Sequence, residues 1–547
     1  MVAAGAIGAY AARHYAARDL TLSHYDARGH LVVARRIVDS VTPGWQQVGA
    51  VWLPLPHLLN AAPAQHDWSY RTGASGILVS MVSYAAAIGA LSWMLLVMTA
   101  SRGAAVAGAA VFALNPNVLY LQATPMTEPL LLALTTSAVA GLMAWCRSAR
   151  PAPWCVGMLF ALACLTRFEA WPVTVAALGA AGWARWREGR PGLDACCEVA
   201  RIAIVPAGAI AAFMTFSRIV VGRWFVSEGF FVPDPTFATP GGAAGAVWHG
   251  LLSVSEPALL YAAGVGLIAL AGRAFITRAR APDLMALALC AAAALPWAAF
   301  LRGHPFRVRY MVPLLAAEAI GVGMMVGLLR RFAGLAAVPM TLLAATAPGP
   351  LTASAAMVVE AQWDRPRARE RQVVTRCLKA GYRGDTIMAS MGSLGHYMQE
   401  LSAVGLNLRD FLHEGNGDIW LNALATPRPY VGWVLIDEQS EGGDTLARIA
   451  NGQPSFLDGF DRVCQGGGVA LYRRRPETRT GAVDRPDLTW PRVDRLMGVP
   501  QLALPRQVTP SRRQNRTLRV NKYESPPRSI LGPENSWSSG RSPSACW

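Results

Sequence analysis

Long, almost uncharged apolar runs set the strongest limit on what this chain can fold into. Without water at hand, backbone polar groups are satisfied inside a helix, and about 20 apolar residues in helical form cross a bilayer. Such runs lie near 76–99, 103–122, 129–146, 202–222, 248–275, 283–301, 310–329 and 334–358. Two shorter runs between 154 and 186, split by "TRFEAWP", read as a hairpin of helices. Residues 2–12 form an apolar stub too short to span alone. The expected fold is mostly α: a polytopic transmembrane helix bundle over 1–358, with a first outer loop at 14–74.

From about 360 the pattern changes to alternating surface helices and short strands. "DTIMAS" and "YVGWVLIDE" read as strands, "LGHYMQELSAVG" as a helix, and "FDRVCQGGGVALYRR" as a hairpin turned by glycines. Residues 359–475 are therefore expected to form a small extramembrane α/β domain. Beyond it, 476–547 is rich in Pro, Arg, Ser and Asn with no periodicity, and is expected to be a disordered tail.

The formal charge of +16 raises the question of nucleic acid. The positive residues are almost all arginine, and no basic stripe with interleaved aromatics occurs, so nucleic-acid binding is excluded. Nine cysteines occur without a CxxC pair, which leaves no zinc site and no disulfide framework. Cys377 and Cys464 flank the soluble region and can pair. Threading the spans alternately puts Arg102, Arg147, Arg185, Arg187, Arg278, Arg280, Arg330 and Arg331 on one side, which the positive-inside rule makes cytoplasmic. The histidines then fall on the opposite face. The expected location is the bacterial inner (plasma) membrane, multi-pass, with the C-terminal domain outside the cytoplasm.

Three stretches on that outer face can do chemistry. In "SHYDARGHLVVARR" (23–36), Asp26 and His30 are one helical turn apart on one face, with His24, Arg35 and Arg36 nearby. Leu31, Val32, Ile37 and Val38 are expected to rest in the membrane interface while the arginines reach headgroups, and Pro54 and Pro56 then break the helix before His57. An interfacial helix with solvated charges explains the same residues. In "NPNVLYLQATPMTEPLLL" (115–132), Glu128 is a second acid, and helix capping by Thr127 with Glu128 at the positive end of the dipole also accounts for it. In "RGHPFRVRYMVPLL" (302–315), Arg302, His304, Arg307, Arg309 and Tyr310 crowd one loop, and guanidinium forks suit phosphate oxygens. Headgroup binding and ordinary loop charge remain open for it. Arg167 and Glu169 read as a local ion pair; Glu256 and Glu318 lie near or within spans without an assignable role. "MGSLGHYM" resembles a phosphate-cradling turn only loosely.

An acid on a short helix in the first outer loop, a second acid at the next outer turn, an arginine-rich late loop and an outer α/β domain occur here in that order. This layout resembles the C-type integral-membrane glycosyltransferases that use polyprenyl-phosphate sugars, nearest the protein O-mannosyltransferase and aminoarabinose-transferase branch. The resemblance implies Asp26 and Glu128 as catalytic acids. It also implies a substrate-binding set of His24, His30, Arg35, Arg36, His57, Arg302, His304, Arg307, Arg309 and Tyr310. A single first-loop acid, where the family often has a near pair, departs from the pattern. No cofactor follows with certainty, though a divalent metal is possible. The implied reaction moves a sugar from a polyprenyl-phosphate donor, with inversion, to a glycan, lipid or protein acceptor of the cell envelope, with membrane lipids as further partners. The alternatives are a secondary transporter and a non-catalytic membrane scaffold with an outer binding domain.

Overall fold

The structure, a computed structural model, describes residues 2–148, 151–226, 233–440 and 443–476. The expected disordered tail lies outside the described residues, save for Pro476. In chain order the first helices are α1 (Val2–Ala16), α2 (Tyr25–Arg36), α3 (Leu55–Ala61), α4 (Asp67–Thr72), α5 (Ala74–Thr99), α6 (Arg102–Leu114), α7 (Pro116–Leu121) and α8 (Glu128–Cys146). The hairpin follows as α9 (Trp154–Cys164) and α10 (Ala170–Arg187), and then α11 (Gly192–Val221), α12 (Pro240–Val254) and α13 (Pro257–Ile276). A 3-10 stretch, Arg278–Ala293, runs into α14 (Ala294–Leu301), and another, Val308–Leu314, runs into α15 (Leu315–Leu328). Helices α16 (Ala333–Thr346) and α17 (Ala356–Ala361) complete the apolar part.

Among the described residues, six helical stretches are long and apolar enough to cross a membrane: 74–99, 128–146, 192–221, 257–276, 278–301 and 308–328. The chain is an integral membrane protein. Three expected spans are corrected, each at a proline. The run 103–122 breaks at Asn115-Pro116, where the Asn115 side chain accepts from the backbone N–H of Asn117 (2.9 Å) and starts a new turn. The run 248–275 divides at Ser255-Glu256 before Pro257, and 334–358 stops at Thr346, before Pro348 and Pro350. Helices α13 and α15 approach until their backbones meet: a Cβ on Gly266 would lie 1.8 Å from the Gly321 carbonyl oxygen. Small residues at such a crossing replace the hydrophobic drive that a bilayer does not supply.

The C-terminal part contains α18 (Arg365–Gly381), β1 (Ile387–Ala389), α19 (Met391–Leu401), β2 (Phe411–Leu412), α20 (Asp418–Ala425), β3 (Trp433–Asp437), α21 (Thr445–Gly452), β4 (Phe460–Gly466) and β5 (Val469–Arg474). Its five-stranded sheet has the order β2-β1-β3-β5-β4, with β2, β1 and β3 parallel and the final hairpin antiparallel. The two-residue strand β2 and helix α20 have no counterpart in the sequence reading. Cys377 on α18 and Cys464 on β4 are disulfide-bonded, with Cα atoms 6.5 Å apart.

Helix α2 is the joint between the two parts, and here the expectation is corrected. Leu31 and Val32 do not face lipid; they are buried in one apolar cluster with Leu394, Tyr397 and Met398 of α19. Arg28 does not reach a headgroup either. It pairs with Glu400, which also binds Arg371 (2.9 Å), and Arg371 forks onto Asp364 at 2.7 and 2.6 Å. An amphipathic helix shows that one face will be covered, and here protein covers it.

Candidate active site

Asp26 stands in the first turn of α2, where the helix begins because His24 caps it: His24 Nδ1 accepts from the Asp26 N–H at 3.1 Å. The Asp26 carboxylate forms an ion pair with Arg309 of the 308–314 turn, and both side chains are buried. One turn along α2, His30 Nδ1 lies 3.0 Å from His57 Nε2, with the Trp52 ring 4.3 Å from the His30 ring. Burial pulls the His30 imidazole well below its usual range, and the charges of His57, Arg309, Arg167 and His24 push the same way. Burial, then Arg36, lowers His57 to about 3. Both rings are therefore neutral near pH 7.

Glu128 opens α8 and is wholly buried. Thr127 sits at the capping position, yet its hydroxyl makes no cap; it accepts from Arg167 Nη1 at 3.0 Å. The same nitrogen donates to Glu128 at 2.8 Å, while Arg167 Nη2 reaches Glu169 at 2.7 Å. The local Arg167–Glu169 pair thus exists, and it extends to Glu128. Arg167 and Arg309 act electrostatically on each other and on His30, so three acids, two guanidiniums and an imidazole gather in one buried cluster. Arg167 comes from the hairpin turn that "TRFEAWP" announced, but nothing local in that motif tells which distant acid it meets. A cavity of about 10 Å³, bordered by His30, Asn60, Met126 and Thr127, adjoins the cluster. That is room for about one water.

The remaining expected residues divide by position. Tyr310 holds His304 Nε2 at 3.3 Å beside Arg309. Arg307 immediately precedes the 308–314 turn and is partly buried, and Arg302, at the end of α14, is exposed. Besides capping α2, His24 faces Glu360 at 3.6 Å. Arg35 is taken up by Asp39 and Asp67, each at 2.8 Å, and Arg36 by the Gln47 carbonyl. Glu318 accepts a hydrogen bond from Ser255 deep in the apolar part.

Among the described residues, no group of three or more metal-ligating side chains converges. Each candidate acid is instead neutralised by a guanidinium, a donor set that does not fit a divalent cation.

No family model matches the chain, and no curated protein matches it in sequence. Its architecture is similar to that of ArnT from Cupriavidus metallidurans bound to undecaprenyl phosphate, with a TM-score of 0.51, 13% identity, and coverage of 86% of this chain and 97% of that one. The apo state of the same protein gives 0.47 at 14% identity, over 82% and 92% of the two chains. The Archaeoglobus fulgidus oligosaccharyltransferase gives 0.43 at 13%, over 71% and 59%. The likeness to the bound ArnT structure shows a shared fold.

Proposed function

We propose that the chain transfers a sugar from a polyprenyl-phosphate donor to a cell-envelope acceptor. The observation that carries this reading is the buried meeting of Asp26 with Arg309 beside Glu128 with Arg167. Four stretches far apart in sequence supply these acids and cations to the same place. A lipid-linked sugar needs a cationic cradle for its phosphate and a carboxylate at the reacting carbon, and this cluster holds both. The ArnT structure of similar fold has undecaprenyl phosphate bound, which agrees with a lipid-phosphate donor.

In the proposed mechanism the donor phosphate competes with Asp26 for Arg309. Binding of the phosphate frees the carboxylate at the moment when a base is needed. Asp26 then takes the proton of the acceptor hydroxyl, the hydroxyl oxygen bonds to C1, and the C1–O bond to phosphate breaks with its electron pair moving to the phosphate. Attack from the side opposite the phosphate inverts the anomeric centre. Arg309, with Arg307 and Arg167, stabilises the charge gathering on the leaving phosphate. Glu128 holds Arg167 in position. Disulfides persist in oxidising compartments, so the Cys377–Cys464 bond supports an extracytoplasmic place for the α/β domain and for the cluster that α2 joins to it.

The test uses purified protein in vesicles with radiolabelled polyprenyl-phosphate sugars and a cell-envelope extract. Label moving from lipid to a new covalent product, and lost in Asp26→Asn, supports the reading. Label that accumulates inside vesicles without a new bond overturns it in favour of transport.

A further inference from the structure

Arg36 is half-buried and held without a close acid. Arg35, Arg147, Arg167, Arg185, Arg309 and Arg371 each lie within ion-pair distance of a carboxylate. Among the described residues, Arg36 is within that distance of none. Its Nε donates to the Gln47 carbonyl at 2.5 Å, and Gly49 leaves room for its other end, since a Cβ there would lie 2.9 Å from Arg36 Nη2. Glu414, the acid that counters Arg36 from a distance, is held elsewhere by Ser390 and by the Met391 N–H at 2.7 Å. A cation drawn from water without a close counter-charge is costly, and an incoming anion removes that cost.

Beside Arg36 are two wholly buried polar side chains with unmatched atoms. His413 accepts from the Gly415 N–H through Nδ1 at 3.1 Å, so its proton sits on Nε2, and that donor has no partner among the described residues. Gln47 spends its amide N–H groups on Thr42 and on the Gly415 carbonyl, both at 2.8 Å, and leaves Oε1 unmatched. A Cβ on Gly415 would lie 2.7 Å from Gln47 Oε1 and 2.9 Å from His413 Cε1, so these groups share one small space. The place is the carboxyl end of parallel strands β1 and β2, where open α/β sheets take ligands. The segment 45–59 that carries Gln47 and Gly49 also exposes Trp45, Val51, Leu58 and Leu59, apolar side chains suited to an acyl chain.

We propose that Arg36 and His413 form a second oxyanion site, which takes the phosphate monoester headgroup of a lipid whose chain lies against Val51, Leu58 and Leu59. A guanidinium and an N–H donor meet phosphate oxygens, and Gln47 Oε1 accepts from a hydroxyl of the same headgroup. Arg36 lies ten residues beyond Asp26 on one helix, about 15 Å along its axis, too far to share the phosphate that meets Arg309. If the occupant is the acceptor, its hydroxyl reaches back along α2 toward Asp26; that part alone rests on the transferase reading.

The experiment uses the delipidated full chain and native mass spectrometry with phosphatidic acid or phosphatidylcholine. The wild type is expected to retain one phosphatidic acid at least about tenfold more tightly than Arg36→Gln, the size of one lost charge-assisted contact. Phosphatidylcholine should not distinguish the two, and Arg36→Lys should recover part of the difference. His413→Asn keeps an acceptor near the Nδ1 position, removes the Nε2 donor, and should weaken retention on its own; it serves where Arg36→Gln does not fold. Equal retention of phosphatidic acid by all variants overturns the site. Stabilisation by inorganic phosphate in the wild type but not in Arg36→Gln, with no lipid preference, overturns the lipid and assigns the site to a free phosphate. Retention is read without sugar transfer, so failure of the transferase reading leaves this result standing.

Discussion

Asp26 and Arg309, 283 residues apart in sequence, form a buried ion pair where helix α2 meets the late arginine-rich turn. The carboxylate and the guanidinium hold each other, and in the proposed mechanism a phosphate that binds Arg309 must separate them. Asp26→Asn removes the base while leaving the cation. The expected outcome is a fall in kcat of about 10²- to 10⁴-fold, the usual contribution of a positioned base. Donor affinity should hold or rise, because phosphate no longer competes with a carboxylate. Single-turnover transfer with a donor-binding measurement on the same sample checks this, and near-normal transfer by the variant removes Asp26 from the mechanism.

Arg167 serves two buried acids at once, Glu128 and Glu169, which are 0% and 2% exposed. Arg167→Gln strands both, and breaking a buried pair costs about 3–5 kcal/mol. Glu169→Gln leaves Arg167 still matched by Glu128 and should cost less. Removing Glu128 as well, in Arg167→Gln/Glu128→Gln, should return part of the loss. Chemical unfolding in detergent gives the order, and an Arg167→Gln variant no less stable than Glu169→Gln contradicts the bridging role.

Much of the fold is legible in the sequence, and the parts that are not share a cause. Hydropathy marks the spans, and the acids and arginines of 26, 128 and 309 stand out as charge at the edges of apolar runs. Hydropathy alone runs straight through Asn115-Pro116 and Ser255-Pro257, because one proline changes backbone hydrogen bonding far more than it changes mean polarity. Amphipathicity in α2 indicates a covered face without saying that α19 covers it. Pairings such as Arg167 with Glu128 depend on packing between distant segments, and no local spacing encodes them. Strand β2 is two residues long, shorter than any alternation that could announce it.

The Cys377–Cys464 bond closes 87 residues and ties α18 to β4. Loop-closure entropy alone gives such a link about 4 kcal/mol. Cys377→Ser should therefore lower the unfolding midpoint of the oxidised protein and leave the reduced protein unchanged. The same bond reports topology. In intact spheroplasts, an impermeant maleimide should label this pair after mild reduction, while Cys196 and Cys197, exposed thiols at the opposite end of the threading, wait for permeabilisation. Labelling of Cys377 and Cys464 only after permeabilisation would put the α/β domain in the cytoplasm.

Acid should weaken the fold through its buried imidazoles. His57, 1% exposed, is held down to about 3 by burial first and then by Arg36. In the unfolded chain it takes a proton near pH 6.5. Between those values the unfolded state binds more protons, so stability falls as pH falls, by at most about 1.4 kcal/mol per pH unit for each such ring. His30 works in the same direction. Asp437 opposes them: burial raises its carboxyl to about 6, so the folded state binds its proton first and gains stability as pH drops below that value. Total stability mixes the two effects, and the difference between wild type and His57→Gln isolates one. From pH 7 to pH 5 the wild type should lose more stability than the variant, with the gap opening below about 6.5. Parallel curves over that range would mean that His57 is hydrated and charged in the folded protein, and the neutral His30–His57 pair would then have to be abandoned.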